Sequence, residues 1–391
     1  MVKSDKRACS GCGLCAECCP VNAIKMLPDD DGFLYPQINK ELCTGCGLCE
    51  KICPFYPEFT INGKSEPDET YIARSKSEAV LKKSASGGLF TELSDAIIKS
   101  GGTVYGAAFD ENFSVRHIRG TNSGERDRMC GSKYVQSTLS SVYESAADDL
   151  RAGKRVLFTG TPCQIAAVYR YMQHKKVSVD TLYTCDIICH AVTSPLLFEK
   201  YLDFIKAHYG NGIRSINMRD KNYGSGYNMT IITENGKYHK PEITDPFIKI
   251  FTLNCAMRPS CTACAMKKTD RMGDITIGDF QRERRFFPEY DDGKGVSVVW
   301  VNSRKGSRLF DEISANLDFK KCTVEQSLQH NLHGQIPPSP KTAEFSKDLR
   351  EKNTESVFRK YTEYGFINRV YGESRRLAKK IIYGILGKPI R

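Results

Sequence analysis

Two runs of cysteines near the start of the chain carry the clearest chemical signal in this sequence. The first run contains Cys9, Cys12, Cys15 and Cys19, and the second contains Cys43, Cys46, Cys49 and Cys53. A proline follows each run, and the two-residue spacers let a tight loop direct three thiolates toward one iron-sulfur cubane. Zinc also accepts four thiolates, but a zinc site requires neither three evenly spaced cysteines nor the terminal Cys-Pro. The runs therefore predict two 4Fe-4S clusters.

The assignment of ligands follows from the shape of the repeat. Both runs match the C-x2-C-x2-C-x3-C-P pattern of bacterial ferredoxins, in which the fourth cysteine of a run binds the other cluster. The predicted ligands of the first cluster are Cys9, Cys12, Cys15 and Cys53. Those of the second cluster are Cys43, Cys46, Cys49 and Cys19. Cys18 falls outside the pattern, and we interpret it as a packed or free thiol.

Length and cysteine usage limit the class of protein. The chain has 391 residues, which is more than one core usually supports, so we expect a small cysteine-rich unit joined to a larger domain. The 17 cysteines do not predict a disulfide framework, because the charged start of the chain lacks the apolar stretch of a signal peptide. No run approaches the roughly 20 apolar residues of a membrane-spanning helix. A reducing, cytoplasmic location is the expectation.

The larger domain alternates helix and strand signals, which predicts an α+β (mixed α/β) fold. Helices are predicted at 89–99, 142–150 and from Pro162 to about Met172, and strands at 104–109, 156–159, 179–189 and 296–301. The turn Glu234-Asn235-Gly236-Lys237 predicts a hairpin. We expect a ferredoxin-like domain at 1–60, a polar linker at 61–70, a larger α/β domain at 71–335, and a basic helical tail at 336–391, after Pro337, Pro338 and Pro340.

Six ordered motifs in the larger domain carry a resemblance. They are KSASGGLF (83–90), GSKYVQS (131–137), GTPCQIA (160–166), DIICH (186–190), RPSCTAC (258–264) and DITIGDF (274–280). Together with the cysteine runs they resemble the coenzyme F420 hydrogenase/dehydrogenase beta-subunit family, in the branch with an N-terminal ferredoxin domain. The resemblance spans roughly residues 1–330. It implies a flavoprotein that binds FAD beside a 4Fe-4S cluster and passes electrons between a cluster chain and a two-electron acceptor.

The resemblance also implies which residues hold the flavin. The candidates lie in three loops and are Ser86, Gly87, Gly88, Gly131, Ser132, Lys133, Tyr134, Gly278 and Asp279. In the first loop, glycine permits a phosphate to approach the backbone at a helix start, and the second loop adds a cation and hydrogen-bond donors. An ordinary helix-entry turn at 86–88 and an ordinary strand-end turn at 278–279 are the structural alternatives.

A third cluster in the larger domain is part of the same expectation. Its favoured ligands are Cys163, Cys189, Cys261 and Cys264. Cys163 would stand at a helix N-terminus, where the helix dipole stabilises a thiolate; a reactive thiol and a buried small side chain are the alternatives. Cys255 is the rival for a ligand place. Cys130, Cys185 and Cys322 have no metal spacing and are predicted to lie in the core.

The charge of the chain lies mostly at its end. The net charge is +11, and residues 341–391 contain 13 Lys or Arg against 6 Asp or Glu. The segment 369–391 alternates basic pairs with apolar residues at helical spacing, so it predicts either a helix on an anionic membrane surface or a helix packed on the protein. No nucleic-acid recognition element accompanies the Arg-rich run at 282–285, so a nucleic-acid partner and an iron-sulfur sensor are disfavoured.

These observations predict an FAD- and 4Fe-4S-dependent oxidoreductase. Its partner would be a redox protein or a small-molecule hydride acceptor, such as coenzyme F420 or another two-electron carrier. The alternative is an electron-relay subunit that serves a partner enzyme and performs no substrate chemistry. No residue is assigned as catalytic, although His190 is a candidate proton donor near the flavin or an ordinary packed histidine. The acceptor, the direction of electron flow and the oligomeric state stay open.

Overall fold

The computed structural model describes residues 5–55, 67–224, 226–281, 283–329, 332, 334–362 and 374, except for the side chains of residues 283 and 284. Its strands are β1 (Ile24–Pro28), β2 (Leu34–Ile38), β3 (Glu69–Ser75), β4 (Thr103–Phe109), β5 (Val115–Gly120), β6 (Val156–Gly160), β7 (Leu182–Ile187), β8 (Ile213–Asn217), β9 (Asn228–Thr233), β10 (Gly236–Pro241), β11 (Ile275–Asp279), β12 (Ser297–Val301) and β13 (Leu317–Lys321).

Short and long helices alternate with these strands. The helices are α1 (Leu14–Glu17), α2 (Leu48–Lys51), α3 (Glu78–Lys83), α4 (Leu89–Lys99), α5 (Ser123–Asp127), α6 (Val142–Arg151), α7 (Pro162–His174), α8 (Pro195–Tyr209), α9 (Pro246–Thr252), α10 (Pro259–Thr262), α11 (Glu283–Phe286), α12 (Arg304–Ser314), α13 (Val324–Ser327), α14 (Thr342–Glu351) and α15 (Thr354–Thr362). The mixed α/β class predicted from the sequence is confirmed. None of the described helices combines the length and the apolar character needed to cross a bilayer.

The N-terminal unit is built from two similar halves. The strands β1 and β2 pair as an antiparallel hairpin, and the short helices α1 and α2 each follow one cysteine loop. Gly13 and Gly47 hold equivalent places in the two loops, and both adopt a left-handed backbone, with φ of 77° and 69°. Glycine reaches this conformation without the steric penalty of a Cβ atom, so each loop can turn sharply into its helix.

Eight strands form the central sheet of the larger domain, in the order β13-β3-β12-β11-β7-β6-β4-β5. The four strands β11, β7, β6 and β4 are parallel, and antiparallel strands extend the sheet on both sides. Ligand sites in such sheets lie beyond the carboxyl ends of the parallel strands. Three of the predicted site segments follow or end β6, β7 and β11 at this edge, so the topology brings them together.

Helices cover both faces of this sheet, because parallel strands must be buried on both sides. Successive side chains of a strand point to opposite faces. Val104 and Leu157 pack with α4 and α12 on one face, whereas Tyr105 and Phe158 pack with α6 and α7 on the other. Leu14 and Ile52 of the N-terminal unit belong to this second core. The N-terminal unit is therefore packed onto the helical layer of α6 and α7.

The larger domain has a second, smaller layer, and the packing of the last described helices on it differs from our expectation for the end of the chain. The strands β8, β9 and β10 form an antiparallel sheet that includes the predicted hairpin, and α8 and α9 pack on it. The helices α14 and α15 join this core through buried Phe345 and Phe358, although we expected the compact body to end near residue 335. The prolines mark a turn rather than a boundary, because the apolar face of α14 and α15 is buried. The segment 369–391 lies outside the described residues, except for Ser374.

Candidate functional site

The first group of cysteines combines residues from both runs. Burial raises the pKa of the Cys12 thiol to about 12, and the nearby thiols of Cys53 and Cys9 contribute to that rise. Burial and the same neighbours also raise the pKa of Cys15. Thiolate charges crowded in a buried place repel one another, which adds to the effect of burial on the pKa values of Cys12 and Cys15, and iron would offset that negative charge. The donor set therefore fits a 4Fe-4S cluster with Cys53 contributed by the second run.

The second group lies nearer the surface. Cys43 and Cys46 are exposed, whereas Cys19 and Cys49 are half-buried. The Cys19 Sγ atom accepts a hydrogen bond from the backbone N–H of Ala23 at 3.3 Å. Cys18, which falls outside the pattern, is buried in the core beneath α6 and α7. The second run thus presents its loop to solvent, and the first run faces the larger domain.

The third group assembles from three separate segments. Cys163 lies in the first turn of α7, Cys189 follows β7, and Cys261 and Cys264 lie in and just after α10. Burial raises the pKa of the Cys163 thiol to about 12, and the thiols of Cys264, Cys261 and Cys12 add to the rise. Burial and the other three members of the group raise the pKa of Cys189 well above its ordinary value. The group therefore lies beside the first group, and its donors fit a 4Fe-4S cluster.

The remaining cysteines of the larger domain lie apart from this group. Cys255 is buried against α9, and its thiol faces the Leu253 carbonyl at 3.7 Å, with Ser339 nearby. Cys185 and Cys322 are buried in apolar cores. Among the described residues, no three His, Cys, Asp or Glu side chains converge on a point where they could bind a single metal ion.

One large cavity connects the third group with the predicted flavin loops. It has a volume of about 520 Å³ and is open to solvent on one side. The predicted residues along its wall are Ser86, Gly88, Gly131, Ser132, Lys133, Tyr134, Gly278, Asp279, Cys163, Cys189, Cys261 and Cys264. The first turns of α4 and α7 open into it, and helix N-termini favour anions. The N-terminal unit contributes Arg7, Ser10 and Phe55, so the cavity lies between the two units.

Gly87 and Gly88 are glycines for reasons other than the one we expected. A Cβ atom at Gly87 would lie 2.4 Å from the Ala73 carbonyl and 2.8 Å from the Ser297 nitrogen, so this position is closed by β3 and β12 rather than by a ligand. Gly87 is also set back from the cavity wall. Gly88 lines the cavity but has φ of 86°, and its Cβ would meet Val80 at 2.8 Å. Both glycines serve helix entry and packing first.

The loop 131–134, the second of the loops predicted to hold the flavin, is stabilised by its own Lys133. The Lys133 ammonium group donates hydrogen bonds to the carbonyls of Met129 and Cys130, both at 2.9 Å. Burial lowers its pKa to about 8. The nitrogen is thus engaged by the main chain of residues 129–130, and its charge stabilises the loop at the cavity wall. Tyr134, at the end of the loop, directs its hydroxyl oxygen toward Arg219 Nη1 at 3.3 Å.

Sequence reasoning missed an arginine and two aromatic residues at the cavity. Arg219 donates to the Asp279 carboxylate at 2.7 Å and to the Ala85 carbonyl at 3.3 Å, so it ties two of the predicted flavin loops together. Its guanidinium lies 4.8 Å above the Tyr227 ring, and Phe251 packs on Tyr134 at 4.6 Å. The Arg219 Nε atom is buried and finds no hydrogen-bond partner among the described residues. A buried donor of this kind fits an anionic or oxygen-rich ligand.

Two histidines line the cavity in different settings. His190 places Nε2 2.7 Å from Asn254 Oδ1 and packs edge-on against Phe251 at 5.2 Å, so it is held within the wall. His117 is buried, which lowers its pKa to about 4, and its Nδ1 lies 3.0 Å from Ser137 Oγ. Ser137 Oγ in turn accepts from Gln164 Nε2 at 2.8 Å. Because Gln164 caps α7, this neutral network orients the helix start that carries Cys163 of the third group.

A buried ion pair fixes two segments of the third group. Arg271 Nε lies 3.3 Å from Asp186 Oδ1, and both side chains are almost wholly buried. The same arginine donates to the carbonyls of Ile187 and Met266 at 3.0 and 2.9 Å. It thereby joins the end of β7, which precedes Cys189, to the segment that follows Cys264.

Replacement of this arginine is expected to destabilise the fold. In Arg271→Ala the buried Asp186 carboxylate loses its ionic partner, which costs about 3 kcal/mol and lowers the thermal midpoint by roughly 6 to 12 °C. The control is Arg151→Ala, which removes an exposed arginine paired with Glu144 and should change the midpoint little. Anaerobic thermal scans at one heating rate make the comparison. Equal, small shifts in the two variants would contradict the importance of the buried pair.

The comparisons with known proteins agree with this geometry. Residues 8–56 match a profile described as the 4Fe-4S dicluster domain, so the chain is an iron-sulfur protein with a ferredoxin-like N-terminal unit. Residues 153–326 match the profile that describes the C-terminal part of the coenzyme F420 hydrogenase/dehydrogenase beta subunit. Those residues, which hold all four cysteines of the third group, resemble this family. Together the two matches support an electron-transferring oxidoreductase of the iron-sulfur class.

A solved structure shows a distant likeness. A chain of the F420-reducing NiFe hydrogenase complex from Methanosarcina barkeri superposes with a TM-score of 0.47 and 16% sequence identity, over 84% of this chain and 96% of that chain. No curated protein matches the chain.

Proposed function

We propose that this protein is an FAD- and iron-sulfur-dependent oxidoreductase that passes electrons between 4Fe-4S clusters and a two-electron acceptor. The observation that carries the proposal is the shared cavity. The third cysteine group lies on the same wall as the loops proposed to hold the flavin, and Cys12 of the first group neighbours Cys163 of the third. This arrangement suits a protein that moves electrons between clusters and a cofactor in the cavity.

Each proposed cofactor has its own set of residues. The three cysteine groups would hold three 4Fe-4S clusters, of which two belong to the N-terminal unit. FAD would lie in the cavity against Ser86, the loop 131–134 and the end of β11 at Gly278-Asp279, with Arg219 and the N-terminus of α4 beside its anionic part. A bound flavin supplies the conversion between one-electron transfer and hydride transfer.

The proposed order of the clusters follows from burial and proximity. The second group is the most exposed, with Cys43 and Cys46 at the surface, and it shares the N-terminal unit with the first group. The first group neighbours the third, and the third lines the cavity. Electrons would therefore enter or leave at the second group, and two one-electron transfers along this series would accompany each hydride exchanged in the cavity. A protein redox partner would dock at the exposed second run.

The acceptor is open between coenzyme F420 and another two-electron carrier. The family description of residues 153–326 supports a deazaflavin, and a quinone and a second flavoprotein are the alternatives. An electron-relay subunit without substrate chemistry is the competing function. A bound flavin that dithionite reduces, together with an accessible cavity, would favour the enzyme; a protein that purifies with full iron and without flavin would favour the relay.

Quantitation of iron, sulfide and flavin on anaerobically purified protein tests the proposal directly. With all three cysteine groups filled, each chain should carry about 12 irons and an equal amount of sulfide, together with one FAD. A content of about 8 irons would contradict the third cluster, and the absence of flavin would contradict FAD as the cofactor in the cavity.

Membrane contact through the basic tail stays a prediction. The packing of α14 and α15 determines how it should be tested, because a chain cut near Pro338 would lose buried Phe345 and Phe358. A chain that ends at Thr362 keeps both helices and removes the basic segment 369–391. The full chain should sediment with anionic liposomes at low salt and be released by added salt, whereas the shortened chain should not sediment. Identical sedimentation of the two chains would argue against the membrane contact.

A further inference from the structure

One arginine is buried between the N-terminal unit and the larger domain. Arg258 is 1% exposed. Its guanidinium donates to the Cys9 carbonyl and the Leu34 carbonyl, each at 2.9 Å, and to Gln136 Oε1 at 2.8 Å. The Nη2 atom also lies 3.9 Å from Cys9 Sγ, a thiol of the first group. The guanidinium therefore reaches across the interface to the loop that holds the first group.

The N-terminal unit is shaped to receive this side chain. The guanidinium carbon lies 4.3 Å from the centre of the Tyr35 ring and 5.4 Å from that of Phe33. A Cβ atom at Gly11, between the first two cysteines, would lie 2.7 Å from Arg258 Nη1. Only glycine leaves this room, and only glycine adopts the left-handed φ of 71° there without strain. The cysteine loop and the arginine thus fit each other closely.

The main chain of Arg258 is part of the third group's framework. Its carbonyl accepts a hydrogen bond from the Cys261 nitrogen at 2.9 Å, and its own nitrogen donates to the Val192 carbonyl at 3.0 Å. The residue directly precedes α10, which carries Cys261. One residue therefore contacts the ligand loop of the first group with its side chain and a ligand of the third group with its backbone.

The charge of this guanidinium lacks an acidic partner. Its hydrogen-bond acceptors are two carbonyls and an amide oxygen, all of them neutral, and none of the described carboxylates forms an ion pair with it. A buried charge without a counterion is costly, so such charges are normally paired. Four thiolates around a 4Fe-4S core carry a net negative charge, which grows by one on reduction. The nearest such site is the first group, through Cys9.

We propose that Arg258 tunes and positions the first cluster: its buried positive charge raises the reduction potential of that cluster, and its hydrogen bonds hold the cluster against the third group. A nearby cation stabilises the reduced, more negative state and so raises the potential. The proposal rests on the proposed function, because it requires clusters in the first and third groups. It adds a role for a residue outside the cysteine ligands.

Redox titration followed by electron paramagnetic resonance tests this role. The wild-type iron content is measured first; about 12 irons are required, and a lower content counts against the proposed function and not against Arg258. In Arg258→Gln, with iron retained, one midpoint potential should shift to a lower value and the others should stay unchanged. Arg258→Lys keeps the charge and should restore most of that midpoint. The control is Arg350→Gln, which removes an arginine 3.4 Å from Asp31 at the rim of the same interface and should shift no midpoint.

Each outcome decides the proposal. Unchanged midpoints in Arg258→Gln would overturn it, and so would an equal shift in the Lys variant, since loss of packing rather than of charge would then be the cause. If Arg258→Gln loses iron, the result with Arg258→Lys decides between a role of the charge and a role in folding. Full iron and wild-type midpoints in the Lys variant support the role of the charge. Loss of iron from both variants assigns Arg258 to folding alone and rejects the tuning role.

Discussion

Cys163→Ser is expected to lower the iron content from about 12 to about 8 per chain and to disconnect the cavity from the N-terminal clusters. Cys163 is the member of the third group that lies beside Cys12 of the first group, so its loss removes the link between the two sites. Serine is a poor ligand for iron because its hydroxyl does not ionise near neutral pH. Iron and sulfide analysis measures the loss, and rapid-mixing reduction of the proposed flavin measures the disconnection.

Two buried cysteines that lie apart from the third group provide controls. Cys18 is packed under α6 and α7, and Cys255 is packed against α9, so neither faces the thiols of the third group. Cys18→Ser and Cys255→Ser should keep the full iron content. A loss of iron in Cys255→Ser that equals the loss in Cys163→Ser would reassign a ligand of the third cluster. Full iron in Cys163→Ser would exclude Cys163 from the ligands altogether.

Arg219→Met is expected to weaken FAD binding roughly ten- to a hundredfold while leaving the iron content unchanged. Arg219 has a buried Nε atom in the cavity wall with no hydrogen-bond partner in the described part of the chain, and it ties the loop 84–88 to Asp279. The loss of one hydrogen bond from a charged donor costs about 1.5–3 kcal/mol, which corresponds to this factor in the dissociation constant. Methionine preserves much of the volume, so the change removes mainly charge and hydrogen bonding. Flavin titration of the iron-loaded, flavin-free protein measures it.

The flavin prediction is tested at Arg219 because a substitution in the glycine turn at 87–88 would not separate loss of flavin from damage to the fold. A valine at Gly88 would collide with Val80 and strain a left-handed backbone, so loss of flavin in Gly88→Val would report damage to the fold. Lys221→Met is the matched control, because Lys221 Nζ donates to the Ser86 carbonyl on the same loop and to the Leu81 carbonyl of α3 at 3.1 Å, but lies outside the cavity wall. Equal affinity for FAD in wild type and Arg219→Met would show that Arg219 does not contribute to flavin binding.

Local spacing was sufficient to predict the N-terminal unit. Each cysteine run spans few residues, so the geometry of a single loop constrains its thiols, and the repeat of the run predicts the exchange of the fourth cysteine. The structure indeed places Cys53 beside Cys12 and Cys15. Helix α4 and the hairpin β9-β10 were predictable for a similar reason, because helix stops and tight turns are encoded by neighbouring residues.

The end of the compact body was not predictable in this way. Three prolines correctly indicate an interruption of secondary structure, but they do not indicate whether the helices that follow pack on the core. Phe345 and Phe358 are buried because α14 and α15 cover an apolar surface of α8 and α9. That surface exists only after residues far apart in the chain have folded together, so local spacing does not reveal it.

The sequence by itself determined the iron-sulfur chemistry, the α/β class and the loops proposed for the flavin, because these depend on spacing within short segments. Only the tertiary structure decided how these segments come together in space. The parallel order of β6, β7 and β11 brings Cys163, Cys189 and the turn 278–279 to one edge of the sheet. The same fold adds Arg219 to the cavity and Arg258 to the interface between the units. Local spacing reveals the role of neither arginine, because each contacts segments 60 to 249 residues away, and such contacts are made only when the sheet and both units are assembled.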